Sequence, residues 1–371
     1  MELAKLETFS TERVGFVRAH TTDGDVGIGQ FAPYNADITA TVFHRQVADH
    51  ALGREVEDIG ALADEIVESE YKFPWSYVCR ATGGLDTALW DLRGKRQGEP
   101  VVSLLGGEPT SVPVYGSSMR QEIDVDAEAE RLARLREERG FEAFKVRTGD
   151  WSSKGDDEDA WPGRTEELVP AVREAVGDDV TLLIDANSSY TPERAIEIGE
   201  EILTPNDVAY FEEPCPYWEL EWTAEVTDAL DDVTVTGGEQ DTNLAQWRRT
   251  IEMDAVELVQ PDVCYIGGLS RTLQVAELAA DAGLPCIPHS ANRSMVTVFA
   301  LHLMAAIDNA GPYAEFTIED DWAGGLLSPE LTVEDGEVAV PSGPGWGVEV
   351  DPDWFDRAEY GVSELDEATG A

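Results

Sequence analysis

The stretch from Thr181 to Glu239 holds three short apolar segments, and each of them ends in an acidic residue. The segments read TLLIDAN at 181–187, VAYFEEP at 208–214 and VTVTGGE at 233–239. Their acids, Asp185, Glu212 and Glu239, are separated by two equal intervals of 27 residues. This is about the length of one strand–helix–strand unit, so the segments are typical of buried parallel strands. In a closed (β/α) barrel, such strands bring their carboxyl ends to one rim, where the three carboxylates would converge.

Three carboxylates at one point repel one another unless a cation lies among them. An all-oxygen site with open coordination positions suits Mg²⁺ or Mn²⁺. The alternative is that acids after strands merely cap the following helices or lie in solvated loops. Because three acids follow apolar strands at equal spacing, we favour a metal site with Asp185, Glu212 and Glu239 as its ligands.

Net charge is the strongest feature of the composition. The 371 residues include 75 acidic and 26 basic side chains, which give a formal net charge of −49. Such a surface excludes general binding to nucleic acid or to an anionic membrane. Disorder is excluded for most of the chain, because 42% of the residues are hydrophobic and their periodicity is regular. We interpret the charge as a halophilic adaptation, in which the counter-ions of a molar-salt cytoplasm screen the self-repulsion.

The compartment can be inferred from targeting signals and cysteines. The sequence has no basic-then-apolar leader and no apolar run that approaches the length of a membrane span. The four cysteines lie far apart and show no CxxC spacing. We therefore expect a soluble, cytoplasmic protein with reduced thiols, and neither a disulfide framework nor a zinc site.

The order of elements predicts two domains. In residues 1–110, two strands around an Asp23–Gly24 turn precede several helices, including an amphipathic helix from Tyr77 to Gly98, which is typical of an α+β domain. Residues 111–323 contain eight strand candidates that alternate with helices at regular spacing, which predicts a barrel. The Gly/Pro-rich tail, 324–371, lacks this rhythm and is expected to pack back on the N-terminal domain. Ser270 is expected to cap a barrel helix.

Two basic residues lie on the barrel strand FKVR at 144–147. Lys145 and Arg147 are two residues apart, so both side chains point to the same side of the strand. Cations on an otherwise apolar strand are costly unless they meet anions, and here they would face the three carboxylates and a substrate carboxylate. For Arg147, a purely structural ion pair is an equally good interpretation.

Two more barrel strands end in groups suited to proton transfer. His289 follows PCIPHS and would pair with Asp262 of the neighbouring strand, whose carboxylate would fix the tautomer of the imidazole. The alternative is a packed histidine in a loop. Glu315 lies at the eighth strand candidate, in YAEFT, where a pKa raised by nearby carboxylates would make it a neutral hydrogen-bond donor. We expect Ser117, Asn187 and Gln240 to contact the substrate or to support the reacting groups.

A divalent metal, a lysine and a His–Asp pair around one cavity suit the removal of a proton beside a carboxylate. The carbon acid is very weak, so a metal and a cationic side chain must stabilise the enediolate that forms. Together with these residues, the following segments resemble the mandelate racemase/muconate lactonizing enzyme family of the enolase superfamily: GGLDTALWDLRGK…LLGG (83–107), FKVR (144–147), LLIDAN (182–187), FEEP (211–214), GGE (237–239), QPDVCYIGG (260–268), PHS (288–290) and VPSGPGWGVEV (340–350).

The resemblance implies a fold and a set of roles. It implies a modified (β/α)7β TIM barrel under an α+β capping domain, which the N-terminal region and the tail would form together. It assigns Mg²⁺ to Asp185, Glu212 and Glu239, with the first glutamate of FEEP chosen over Glu213. Asp262 and His289 become the dyad, and the family tends toward even-numbered homo-oligomers. An ungapped count back from 300–306 would instead place Ser294 or Asn292 at the histidine position.

The second strand departs from the racemase pattern. Lys-x-Lys is usual there, whereas this chain has Arg147, and arginine rarely accepts a proton at neutral pH. Dehydration does not need the second base, since His289 can take the α-proton and return it to the departing β-hydroxyl. The chain thus resembles the acid-sugar dehydratases, which are lyases that form 2-keto-3-deoxy acids. Lys145 would bind the carboxylate or act on one face, and Glu315 would donate to the enolate oxygen.

Other functions remain open from the sequence. A racemase or epimerase of a hydroxy acid would use Lys145 and His289 from opposite faces. A cycloisomerase would not need the dyad. A non-catalytic homologue would be expected to lack the dyad or a metal acid, and this chain has both.

Overall fold

A computed structural model describes residues 1–319 and 322–365 of the chain. The end of the predicted tail, 366–371, therefore lies outside the described residues. In chain order, the strands are β1 (Leu3–Ser10), β2 (Gly15–Thr21), β3 (Val26–Gln30), β4 (Ser111–Ser117), β5 (Ala143–Arg147), β6 (Thr181–Asp185), β7 (Val208–Glu212), β8 (Thr234–Gly237), β9 (Leu258–Val259), β10 (Ala314–Thr317), β11 (Leu327–Ser328), β12 (Val333–Glu334), β13 (Glu337–Ala339), β14 (Glu349–Val350) and β15 (Glu359–Glu364).

Helices separate most of these strands. In chain order, they are α1 (Ala36–Val42), α2 (Ala48–Ala51), α3 (Ile59–Ser69), α4 (Tyr77–Gln97), α5 (Val101–Leu104), α6 (Val125–Arg139), α7 (Arg164–Val176), α8 (Pro192–Ile198), α9 (Leu220–Ala229), α10 (Leu244–Glu252), α11 (Val263–Ile266), α12 (Leu269–Asp281), α13 (Met295–Met304) and α14 (Pro352–Phe355). Among the described residues, no helix is both long and apolar enough to cross a membrane. All four cysteines are buried and carry free thiols, as predicted.

The N-terminal region packs one long helix against a small antiparallel sheet. β1, β2 and β3 are neighbours in that order, and α4 lies across β3. The helix can approach closely because β3 contains glycines: a Cβ atom on Gly29 would lie 2.4 Å from the backbone nitrogen of Ala88. Leu85, Leu89 and Leu92 of α4 are buried in the core of this region. The predicted helix from Tyr77 to Gly98 is confirmed, with Gly98 at its left-handed end.

A parallel sheet forms the second part of the molecule. β4 to β9 are hydrogen-bonded neighbours in chain order, and β10 pairs with β4, also in parallel. The strands are apolar because they are covered on both faces: Leu182, Phe211 and Val235 are all 0% exposed. The mixed α/β class with a parallel sheet is therefore confirmed.

The predicted strand at PCIPHS is shorter than expected. Cys286 forms single parallel bridges to Val259 and to Ala310, and within the described residues this segment forms no longer strand. The physical reason is that Pro285 and Pro288 flank the segment, and proline has no N–H group to donate to a ladder.

The tail bonds to both parts of the molecule. β15 pairs with β1 in antiparallel fashion, so the expected packing on the N-terminal domain is confirmed for the described part of the tail. In addition, β13 pairs with the beginning of β4. Trp346 is fully buried and donates its indole N–H to the carbonyl of Thr87 in α4, at 2.9 Å. The tail thus fastens the two parts to each other.

One predicted cap is wrong. Ser270 is the second residue of α12, which begins after Gly268. Its hydroxyl instead accepts a hydrogen bond from the indole of Trp90 at 2.9 Å, and its backbone N–H points to Asp86. The serine therefore joins α12 to α4, an interaction with no local sequence pattern.

Candidate active site

The carboxyl ends of the parallel strands bring the predicted acids to one edge of the sheet. Asp185 and Glu212 end β6 and β7 and are register partners, and Glu239 follows the end of β8 by two residues. They are 0%, 2% and 8% exposed. Burial raises the pKa of Glu212 to about 7; Lys145 opposes this shift, whereas the charges of Asp185 and Glu239 add to it. The acids are therefore close enough to repel one another.

Each of the three carboxylates contacts a cationic group or a histidine. Nζ of Lys145 lies 2.5 Å from Oε1 of Glu212, Nε of Arg147 lies 3.2 Å from Oδ2 of Asp185, and Nε2 of His289 lies 3.1 Å from Oε2 of Glu239. Within 1–319 and 322–365, no group of three or more acidic, histidine or cysteine side chains is arranged to hold a metal ion. The three carboxylates are not arranged around one point, because each of them contacts its own partner.

The donor set nevertheless fits a hard divalent cation. Asp185, Glu212 and Glu239 supply only carboxylate oxygens, which are the ligands that Mg²⁺ prefers. Asn187 donates to Asp185 through its backbone N–H and its side-chain amide, and its own Oδ1 is buried without a hydrogen-bond partner in the described chain. An added cation would satisfy these oxygens and oppose the repulsion that raises the pKa of Glu212.

Lys145 lies between two carboxylates and is itself 0% exposed. Its second partner is Glu315, whose Oε1 lies 2.9 Å away. Burial lowers the pKa of Lys145, but the charges of Glu212 and Glu315 outweigh burial and raise it well above the ordinary value. Lys145 is therefore a permanent cation in this arrangement, as predicted for a residue that faces anions.

The expected raised pKa of Glu315 is wrong. Burial does raise it, but Lys145, His289 and the backbone N–H of Ser290 outweigh burial and hold the pKa at about 2. Ser117, which was predicted to contact the substrate or to support the reacting groups, is fully buried and donates to Oε1 of Glu315 at 2.7 Å. Glu315 is thus an ionised acceptor rather than a neutral donor here, because it lies on β10 beside the ammonium group of Lys145.

The His289–Asp262 pair is present. Nδ1 of His289 lies 2.8 Å from Oδ2 of Asp262, while Oδ1 of Asp262 caps α11 by accepting from the backbone of Cys264. Burial lowers the pKa of His289, but Glu239 and Asp262 outweigh burial and raise it to about 10. The alternative histidine positions are elsewhere engaged: Ser294 caps α13, and Asn292 accepts from the Ser294 hydroxyl.

A cavity of about 650 Å³ opens above these groups. Of the residues predicted from the sequence, those that line it are Arg147, Asn187, Glu239, Gln240 and His289. Arg147 is a cation throughout, since burial lowers its pKa but Asp185 and Glu239 raise it further. Gln240 donates to Oε1 of Glu239 at 2.9 Å. The remaining predicted residues are buried behind this lining.

Comparison with protein-family models matches both parts of the chain. Residues 3–106 match the N-terminal domain of the mandelate racemase / muconate lactonizing enzyme family, and residues 127–354 match the enolase C-terminal domain-like family. The chain belongs to the mandelate racemase/muconate lactonizing enzyme family of the enolase superfamily.

Two relatives of this chain have different activities. An arabinonate dehydratase of Saccharolobus solfataricus is 30% identical over 88% of this chain and 85% of its own length. A D-galactarolactone cycloisomerase of Agrobacterium fabrum is 34% identical over 74% of this chain and 72% of its own length.

Solved structures of the superfamily share the whole fold. A candidate racemase from Roseobacter denitrificans is 54% identical, with a TM-score of 0.95 over 98% of this chain and 100% of that one. A mandelate racemase/muconate lactonizing protein from Paracoccus denitrificans, complexed with magnesium, is 30% identical, with a TM-score of 0.88 over 99% of both chains.

The sequence reasoning missed Gln260 and Lys154, and Glu213, which it set aside as a metal ligand, also belongs to the site. Glu213 lines the cavity with a positive φ of 43° and a buried Oε1 that has no hydrogen-bond partner among the described residues. Burial and the charge of Glu239 raise its pKa well above the ordinary value. Gln260 donates to Oε2 of Glu212 at 2.6 Å, and Lys154 reaches the cavity from the loop after β5. The sequence held signals for all three: Glu213 lies in the FEEP segment, Gln260 lies in the QPD segment, and Lys154 is one of few lysines in the chain.

Proposed function

We propose that this chain is a Mg²⁺-dependent sugar-acid dehydratase, a lyase that removes the proton α to a carboxylate and expels the β-hydroxyl as water. The product would be a 2-keto-3-deoxy acid. The observation that carries the proposal is that His289 both faces the cavity and is bound by Asp262. The arabinonate dehydratase among the relatives supports the reaction class.

His289 supplies the proton transfer. Since Nδ1 bonds to Asp262, the carboxylate keeps a proton on that nitrogen and leaves Nε2 as the atom that exchanges a proton. Nε2 lies 3.1 Å from Glu239, so it would act as a base when a bound cation compensates that carboxylate and lowers the pKa of His289. Nε2 takes the proton from C2, the electron pair left behind forms the C2–C3 double bond, and the C3–O bond breaks. The same Nε2 proton completes the water, and the enol product becomes the ketone.

The cationic side chains near the site bind anionic groups and do not transfer protons. Arg147 lines the cavity and is placed to attract the substrate carboxylate. Lys145 is fully buried between Glu212 and Glu315, so its ammonium group is not a free base. A racemase needs a base on each face of the reacting carbon, whereas dehydration needs one group that takes and returns a proton. The arrangement therefore favours dehydration.

Asp185, Glu212 and Glu239 would hold the Mg²⁺, or Mn²⁺ through the same oxygen ligands. When bound, the metal supplies positive charge that stabilises the developing charge on the substrate carboxylate and offsets the acids around His289. The magnesium complex of the Paracoccus relative supports this choice of cofactor.

The second candidate is a racemase or epimerase of a hydroxy acid. The observation that favours it is Lys154, which lines the cavity and whose pKa is lowered by burial. It is a possible second base, different from the one predicted at Lys145. However, Nζ of Lys154 donates to the carbonyl oxygens of Trp151 and Asn187, at 2.8 and 2.6 Å, which engages the ammonium group.

We also propose the finer architecture expected for this reaction. The parallel strands would close into a (β/α)7β barrel over 111–323, through Cys286 and the β10–β4 pair. Residues 1–110 and the tail would form the cap. A cytoplasmic location and a homo-oligomer stay predictions from the sequence.

The test is NMR of a pool of sugar acids with the enzyme, Mg²⁺ and high KCl in D₂O. We expect one acid to disappear and a deuterated 3-deoxy-2-keto acid to form, and His289→Asn to abolish the reaction. The matched control is His50→Asn. It removes another histidine–carboxylate pair, in which Nε2 of His50 lies 3.0 Å from Oε1 of Glu70, and neither residue lines the cavity. Exchange of the α-proton without elimination would support the epimerase, and no reaction of the metal-loaded enzyme with any acid would contradict both.

A further inference from the structure

A second cavity lies beside the catalytic cavity. Its volume is about 490 Å³, and it shares four lining residues with the catalytic cavity, namely Tyr34, Tyr217, Gln240 and Tyr265. The catalytic cavity, at about 650 Å³, is already within the size range that encloses a whole small ligand. The second cavity is therefore additional space that opens directly from the site of reaction.

A buried carboxylate without a partner faces this second cavity. Asp241 is 7% exposed, yet its side chain makes no hydrogen bond or ion pair within residues 1–319 and 322–365. A carboxylate in that position loses solvation without compensation, which is costly unless a ligand donates to it. The side-chain amide of Gln246, also in the lining, has no protein partner in the same described ranges.

Aromatic side chains border the same cavity. Trp75 is 47% exposed and Tyr34 is 64% exposed, although exposed aromatic rings are unfavourable in water. The guanidinium of Arg80, also in this lining, donates through Nη2 to the carbonyl oxygens of Pro33 and Tyr34, and its Nε has no hydrogen-bond partner among the described residues. The cavity thus offers aromatic faces, hydroxyl groups, a buried carboxylate and one unused N–H group.

This combination is suited to a neutral sugar ring. The C–H face of a pyranose packs on an aromatic ring, and its hydroxyls donate to a carboxylate or an amide. A phosphate or a second carboxylate would instead meet Asp241 at close range, which is unfavourable.

We propose that the substrate is a glycosylated sugar acid: an aldonic acid reacts in the catalytic cavity while a second sugar ring, attached at O4 or O6, lies in the second cavity against Trp75 and Asp241. The inference rests on the proposed dehydration and deepens it. Loss of water between C2 and C3 leaves a glycosidic bond at O4 or O6 intact. The second ring therefore contributes only binding, which remote contacts can use to position the reacting end.

Binding measured without turnover tests this. The probes are lactobionate, cellobionate, maltobionate and melibionate, which all carry a gluconate head, compared with gluconate itself. Calorimetry would use the His289→Asn enzyme with Mg²⁺ and high KCl. We expect at least one disaccharide acid to bind ten or more times as tightly as gluconate, since the hydrogen bonds and the aromatic contact of the second ring together contribute roughly a factor of ten.

Substitutions assign the effect to the second cavity. Asp241→Asn and Trp75→Ala should each reduce the preference for the disaccharide acid several-fold while leaving gluconate binding within twofold. Asp281→Asn, at an exposed carboxylate, is the matched control and should change neither. If all four disaccharide acids bind no better than gluconate, or if Asp241→Asn weakens both ligands equally, the inference is overturned. Failure of the dehydratase would appear separately, as binding that never leads to elimination in the unsubstituted enzyme.

Discussion

Lys145 and Glu212 form a fully buried ion pair, with Nζ of the lysine 2.5 Å from Oε1 of the glutamate. The lysine lies on β5 and the glutamate ends β7, so the pair spans the intervening strand β6. A buried charge is tolerated only when it is paired, and this contact pairs the charges of both residues. The two residues also have separate predicted roles in the reaction, Glu212 as a metal ligand and Lys145 as a group that binds or acts on the substrate. The same lysine also binds Glu315, so removing it would leave two carboxylates uncompensated.

We therefore expect Lys145→Met to lower the free energy of unfolding by about 3–5 kcal/mol when Mg²⁺ is chelated, because breaking a buried pair leaves an unpaired charge. Urea denaturation at constant KCl would measure the change. Lys72→Met, at an exposed lysine, is the control and should change stability by less than about 0.5 kcal/mol. Equal losses for the two variants would show that the pair contributes nothing to stability.

Mg²⁺ should stabilise the fold through the three carboxylates. A ligand that binds only the folded state at 100 times its Kd adds about 2.7 kcal/mol, so the thermal midpoint should rise as MgCl₂ is added at constant ionic strength. Asp185→Asn should remove most of this rise, whereas Asp281→Asn should keep it. If the unsubstituted protein and Asp185→Asn gain equally from Mg²⁺, the ion binds elsewhere.

His302 should make stability depend on pH. Its Nδ1 accepts from the backbone of Val102, and burial lowers its pKa from 6.5 to about 4. The unfolded chain takes up a proton as the pH falls through 6.5, but the folded protein does not until about pH 4. The contribution of His302 is therefore complete above pH 6.5 and declines toward pH 4, by about 3 kcal/mol in total.

The non-titrating variant His302→Gln isolates this effect. Unfolding free energies of both proteins would be measured between pH 7 and pH 4 at one KCl concentration. We expect the stability advantage of the unsubstituted protein to shrink by about 3 kcal/mol over that range. A difference that stays constant with pH would mean that His302 does not titrate in this way.

Salt should raise the thermal midpoint of this chain. With a formal net charge of −49, self-repulsion is large at low ionic strength, and the screening length falls from about 10 Å at 0.1 M to about 3 Å at 1 M salt. We expect the midpoint to rise steeply with KCl. Sucrose at matched osmolality, which does not screen charge, is the control and should have a much smaller effect. A midpoint that is indifferent to KCl would contradict the halophilic interpretation.

Local sequence patterns were sufficient to predict much of the fold. Three apolar strands that end in acid, the helix from Tyr77 to Gly98 and the His289–Asp262 pair all follow from spacing that one strand or one helix imposes. The single-residue pairing at Cys286 was missed because the segment has the right composition but is flanked by prolines. The position of Ser270 was missed because its partners, Trp90 and Asp86, lie on α4, about 180 residues away in the chain.

The sequence by itself determined which residues reach the carboxyl edge of the sheet, because the alternation of strands and helices fixes where each strand ends. Only the tertiary structure decided how those residues pair. Lys145 between Glu212 and Glu315 keeps Glu315 ionised instead of neutral. Asp241 became visible as a candidate ligand contact only through its burial. Burial and pairing are set by segments distant in the chain, and they, rather than residue type alone, determine the charge that each group carries.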